Sequence, residues 1–277
     1  MTTTILAAII SLMLPVLLHA QVSVTPTFLS IDPRTNLGQI YLNNNSSAPM
    51  EVTFSLAFGY PASDETGNTI MIYDDDEKMV MHALDDYIRI FPRQILLGPN
   101  ASQSIQLMVR PMHNKPDGVY WTRLFVTSNK QAADIQDTPE VVRIDAGINY
   151  VLRQNIPVVY AKGVISAGLD VKRMDAEVKT GFLRASALVA PIENIPFIGS
   201  MHVVLRTPAG VEVGRAYNTI AAYTEMLRAV SIPLPEGGIE PGSYDLEFSF
   251  KTRRRDISAD MLIQAAPVSQ TVLLTID

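Results

Sequence analysis

From Val142 to Leu152 every second residue is apolar: Val142, Ile144, Ala146, Ile148, Tyr150 and Leu152, with mostly Arg, Asp, Gly and Asn between them. Strict alternation is the pattern of a strand with one apolar and one wetted face. Here it continues towards Ile156-Pro157-Val158-Val159-Tyr160, which would make the strand more than twice the usual length of about 5–6 residues. A sandwich of ordinary size cannot cover so long a stripe with its own core. The stripe is either covered by a second molecule or folded away by a bend at Pro157, and we read it as a strand built to be shared.

Up to Lys162 the remaining apolar runs are short: Val22 to Ser30, Gly38 to Asn43, Met50 to Phe58, Tyr87 to Ile90, Ser104 to Val109 and Val119 to Val126. Turn formers separate them, as in Asn43-Asn44-Asn45-Ser46-Ser47, Gly98-Pro99-Asn100 and Lys115-Pro116-Asp117-Gly118. Seven strands at this spacing predict an immunoglobulin-like sandwich. Met79 to Asp86 fits either a short helix or a strand. Past Ala161-Lys162-Gly163 the runs Leu169 to Val171, Phe182 to Val189, Met201 to Arg206, Val211 to Ala216, Leu227 to Ile232, Gly242 to Phe250 and Ser269 to Ile276 predict a second sandwich. Tyr244, after Pro241-Gly242-Ser243, is either a tyrosine corner bonding back to the backbone or a plain buried tyrosine. The expected fold is all-β, two immunoglobulin-like sandwiches arranged around a cleft near Ala161 to Val164.

Composition sharpens this picture. Thr2 to Ala20 carries no charged side chain and has an apolar stretch from Ile5 to Leu18, the pattern of an export signal cleaved near Ala20/Gln21. A membrane anchor would need about 20 apolar residues, and Pro15 and the polar break at His19 argue against one. The expected organisation is a signal peptide over 1–20, a first domain over 21–161 and a second over 162–277. With no cysteine, an exported chain has no disulfides or thiolate metal sites and must be held by core burial. The net charge of −6 gives no reason to expect nucleic acid.

Three runs stand in order: FPRQILLGPNASQSIQLMVRP (Phe91 to Pro111), DGVYWTRLFV (Asp117 to Val126) and NIPVVYAKG (Asn155 to Gly163). Together they resemble the periplasmic chaperones of chaperone–usher pili, most of all the archaic branch, through Pro92, Pro99, Gln103, Asp117, Gly118, Tyr120, Ile156, Pro157 and Val158. The resemblance covers the first domain and is loose in the second. It implies a non-enzymatic activity without cofactor or ATP: the last strand of the first domain fills the gap in a pilus subunit that lacks its own final strand. The subunit would then pass to an outer-membrane usher, all in the periplasm and with no stable membrane insertion after signal cleavage. Counted back without gaps from Ile156-Pro157, the donor positions are Ile148, Tyr150 and Leu152, extended by Ala146 and Ile144.

The chain departs from the family at its anchor. Family members hold the subunit's terminal carboxylate with two basic residues in the interdomain cleft, and the corresponding positions here are Phe28 and Pro157. Arg123, Arg153 and Lys162 are the candidate replacements, with Arg34 on a neighbouring loop. The family's interdomain ion cluster is also unmatched, its basic position falling near Ala161 or Lys162 and its acidic one near Val119.

Other chemistry is poorly represented. Asp74-Asp75-Asp76-Glu77 lacks the ligand spacing and glycine of a calcium loop and reads as a solvated loop. Arg253-Arg254-Arg255 reads as an exposed turn that discourages edge pairing, with an acidic partner, phospholipid or usher as the alternative. His82, His113 and His202 are scattered without metal-site spacing. Tyr120 pointing into the core with Trp121 on the opposite face is preferred over a sugar-stacking platform. There is no nucleophile elbow or phosphate loop. The main alternative function is a secreted two-domain structural or adhesive protein that uses the same strand for self-association; a β-rich hydrolase is the other.

Overall fold

The computed structural model describes residues 22–130 and 150–276. The expected signal segment and the donor positions Ile144, Ala146 and Ile148 lie outside them. The first domain contains β1 (Val22–Thr25), β2 (Leu29–Ile31), β3 (Leu37–Asn44), β4 (Met50–Ala57), β5 (Tyr60–Ser63), β6 (Thr69–Ile72), helix α1 (Asp76–His82), β7 (Ile88–Phe91), β8 (Gln94–Leu97), β9 (Ser102–Val109), β10 (Gly118–Lys130) and β11 (Val151–Lys162). The second contains β12 (Leu169–Lys179), β13 (Phe182–Pro191), β14 (Phe197–Arg206), β15 (Glu212–Ala222), β16 (Met226–Pro233), β17 (Gly242–Lys251) and β18 (Val268–Ile276).

These strands form two sandwiches. In the first, sheet β1-β3-β9-β7 faces sheet β2-β11-β10-β4-β8; in the second, β12-β13-β16 faces β15-β14-β17-β18. Alternation along each strand builds the cores, as in β9, where Ile105, Leu107 and Val109 are buried and the residues between them lie further out. One core is drawn from buried residues numbered 22 to 160, the other from 169 to 250. A third cluster, with Phe28, Trp121 and Val159 from one side and Ile198, Tyr223 and Leu262 from the other, forms the seam between the domains.

Several expectations are corrected. Val22 to Ser30 is two strands, β1 pairing with β3 and β2 with β11. Pro26 between them has no amide to continue a ladder, so the chain crosses from one sheet to the other. Met79 to Asp86 begins in α1, which starts earlier, at Asp76. Asp74-Asp75-Asp76-Glu77 is no plain loop: Asp75 caps α1 by accepting from the Lys78 N–H at 3.0 Å, and Asp76 and Glu77 occupy the first turn, where the helix dipole favours acids. Two features were not anticipated, the β5–β6 hairpin and β8. All three strands are four residues long, β5 interrupted by Pro61 and β8 flanked by Pro92, Gly98 and Pro99, residues that suppress a strand reading.

The two tyrosines resolve alike. Tyr244 Oη donates to the Glu240 carbonyl at 2.8 Å, a tyrosine corner, and Tyr120 makes the same four-residue return to the Pro116 carbonyl at 2.7 Å.

Candidate functional site

β11 pairs antiparallel with β10 along its whole length, from Val151↔Asn129 to Lys162↔Gly118. On its other side β2 joins only at Val158, Val159 and Tyr160. Among the described residues, no strand pairs with that edge from Val151 to Pro157. The strand does not bend at Pro157, which stays in register opposite Arg123. A proline is tolerated there because the adjoining edge has no ladder for its missing N–H to break.

The even-numbered side chains of β11 divide into two groups. Ile156, Val158 and Tyr160 belong to the first core. Gln154 marks the limit, its Nε2 donating to the Val22 carbonyl at 3.0 Å. Beyond it Leu152 is 38% exposed, and Tyr150, just before the strand, 61%. On the odd-numbered face, the Arg153 guanidinium lies 3.8 Å from the centre of the Phe125 ring, and Asn155 Nδ2 donates to the Tyr73 hydroxyl at 3.1 Å. Among the described residues the back of the projecting strand is therefore held at Arg153 and Asn155, while no strand pairs with its edge and Leu152 on its front stays exposed.

The seam lies beside this edge. Trp121 carries the Tyr223 ring edge-on at 4.9 Å and the His82 ring stacked at 4.4 Å. With only 1% of its surface exposed, Trp121 cannot serve as a sugar platform. His82 Nδ1 lies 3.0 Å from the Val119 carbonyl, and burial lowers the pKa of the imidazole.

A cavity of about 210 Å³ opens where the domains meet, lined by Phe28, Pro157 and Arg123 from the first domain and Tyr223, Arg228 and Arg254 from the second. Arg123 projects from β10, is only 6% exposed and donates through Nε to the Gly59 carbonyl at 3.1 Å. Its terminal nitrogens make no hydrogen bond among the described residues. Arg228 donates to the Thr219 carbonyl at 2.8 Å, Thr69 Oγ1 at 2.7 Å and Asn218 Oδ1 at 2.9 Å. Burial, then the charge of Arg254, lowers its pKa. Arg254 binds Asp256 through two nitrogens, one at 2.9 Å. Burial raises the Tyr223 pKa against the opposing pull of Arg123 and Arg254. Three guanidinium groups with one carboxylate leave the cavity cationic, a setting suited to an oxyanion.

Of the candidate anchors, Arg123 alone lines this cavity. Arg153 is occupied by Phe125. Lys162 Nζ donates to the Lys115 carbonyl at 2.6 Å and pairs with Asp117 at 3.2 Å, while Arg34 pairs with Asp32 at 3.0 Å. Arg228 escaped the sequence reading, and Arg254, expected with Arg253 and Arg255 in an exposed turn, is instead half-buried and lines the cavity, because nothing in their local patterns separates a cleft arginine from a surface one.

No family model and no curated protein matches the chain. Among solved structures it is similar to the YadV chaperone, at 11% identity and TM-score 0.44 over 91% of this chain and 100% of that one. It is similar also to the CupB2 chaperone of Pseudomonas aeruginosa, at 8% identity and TM-score 0.42 over 92% and 100%. A third similarity is to the CsuC–CsuE chaperone–tip adhesion subunit complex from archaic chaperone–usher Csu pili of Acinetobacter baumannii, at 10% identity and TM-score 0.43 over 90% and 98%.

Proposed function

We propose that this protein is a periplasmic chaperone that supplies β11 as the missing strand of an incomplete pilus subunit and hands the subunit to an outer-membrane usher. The observation that carries this reading is the β11 edge from Val151 to Pro157, with which no strand pairs among the described residues, and the exposed Tyr150 and Leu152 beside it. A strand added to such an edge gains backbone hydrogen bonds, and alternate side chains filling the acceptor's groove supply the fit. The run containing Ile144, Ala146 and Ile148 extends the same alternation in sequence.

Arg123 is the basic residue best placed to meet the subunit's terminal carboxylate, since its terminal nitrogens make no hydrogen bond among the described residues and the cavity it lines includes Phe28 and Pro157. Burying each apolar donor is worth roughly 1.5–3 kcal/mol, and one charge-assisted hydrogen bond about 1.5–3 kcal/mol. Several donors therefore dominate affinity. The anchor acts on register, which a two-residue repeat leaves open to slips of two.

Capture of a pilus subunit lacking its final strand tests this. Tyr150→Asp and Leu152→Asp should each abolish a soluble one-to-one complex in pull-down and light scattering, with the melting temperature unchanged because both side chains lie outside the core. Undiminished capture by both variants overturns the reading. Homo-oligomers that ignore the subunit favour self-association through the same strand.

A further inference from the structure

We propose that the β5–β6 hairpin is a strap that sets the angle between the two domains and thereby assembles the arginine cleft, an inference that rests on reading the cleft as a carboxylate site. The hairpin belongs to neither sandwich, since among the described residues its two strands pair only with each other. At its root Tyr60 packs into the seam, stacked on Tyr223 at 6.2 Å, and its hydroxyl donates to Asp75, the cap of α1.

The rest of the hairpin lies on the second domain. Ser63 Oγ accepts the Leu227 N–H at 2.8 Å, Thr69 Oγ1 accepts from Arg228, and the Thr66 carbonyl accepts from Arg184. Leu227 and Arg228 belong to β16, which pairs with β13 on one side only, so the hairpin covers the other edge. Gly67 is suited to the turn twice over. Its φ is +80°, and a Cβ there would come within 3.3 Å of the Ala229 nitrogen.

The same segment orients an arginine from each domain. Gly59, just before β5, holds Arg123 Nε through its carbonyl, and Thr69, at the start of β6, holds Arg228. Pro61, Thr69 and Met71 also wall the cavity. The seam cluster is apolar and so non-directional, and outside the hairpin one hydrogen bond among the described residues crosses between the domains, from Lys78 Nζ to Asn194 Oδ1 at 3.1 Å. The hairpin's hydrogen bonds supply the direction. Ser63, Gly67 and Thr69 are positioning residues: they act on the ligand through the arginines.

The chain has no cysteine, so spin labels at Gln103→Cys and Gln270→Cys, one exposed site per domain, would report the interdomain distance without interference. The second readout is binding of an alternating valine–threonine peptide ending in a free carboxylate or an amide. The native chain should give one narrow distance distribution and prefer the carboxylate by about tenfold or more. Gly67→Val, and independently Ser63→Ala with Thr69→Val, should broaden the distribution and bring the preference near parity. An unbroadened distribution in both variants overturns the strap. Broadening with the preference retained overturns its role in assembling the cleft. A native chain with no carboxylate preference overturns the carboxylate reading, and the distance distributions then judge the strap alone.

Discussion

Tyr120 and Tyr244 do the same work in two domains with little else in common in sequence. Each stands two residues after a glycine and returns its hydroxyl to the carbonyl four residues back. Removing one such bond costs about 0.5–1.5 kcal/mol. Tyr244→Phe should lower the unfolding free energy by about that amount, read as a lower urea midpoint with an unchanged denaturant slope. His82 carries a pH dependence of definite sign. Its folded pKa is lowered from the ordinary 6.5, chiefly by burial and further by Lys78 and Lys115. The unfolded chain therefore takes up the proton first, and stability falls as pH drops below about 6.5 until the folded imidazole also titrates. His82→Phe keeps a ring against Trp121 and should flatten the melting temperature across that interval. Tyr120 and the Asp-Gly run were legible in the sequence, whereas the stacking of His82 on Trp121 was not, because they are distant in the chain and meet only through the packing of α1 on β10.

β11 is long because β10 is long: thirteen residues of β10 provide a continuous ladder, and β4 supports β10 from its other side. Its edge amides beyond the β2 junction should exchange rapidly in the free protein and become protected when a partner strand pairs. Hydrogen exchange over Val151 to Asn155 checks this, and no change on subunit binding would exclude strand addition here. The tip of the β5–β6 hairpin is built around Asp64, whose carboxylate accepts from the Thr66 and Asn68 N–H groups, both at 2.9 Å, and from the Thr66 hydroxyl at 2.7 Å. These bonds, led by the Thr66 hydroxyl, lower its pKa from 3.8 to about 2. The support it gives the turn is present above pH 3.8 and lost as pH falls through about 2. Titration of the Asn68 amide by NMR should follow that midpoint. The alternation of β11 was plain in the sequence, but which part is covered depends on where β2 joins, and three residues of parallel pairing leave no mark in local periodicity.

For the whole molecule, the seam decides whether two sandwiches behave as one body. Tyr223 is buried between Trp121 and Tyr60, and truncating so large a side chain costs about 3–5 kcal/mol. Calorimetry should give a single transition for the native chain and two for Tyr223→Ala, one per domain. The amino-acid sequence by itself determined the all-β class, the two-sandwich layout, the parity of the long strand and the positions of the turns before Tyr120 and Tyr244. Period-two alternation, proline, glycine and short polar turns act on residues adjacent in the chain, so their consequences can be read without the fold. Tertiary structure alone decided that Arg123, Arg228 and Arg254 share one cavity with Phe28 and Pro157, that the hairpin crosses to β16, and that the β11 stripe is buried only from Ile156 onward. Those outcomes depend on which surfaces pack together, and a long-range contact leaves no periodic trace in the chain that makes it.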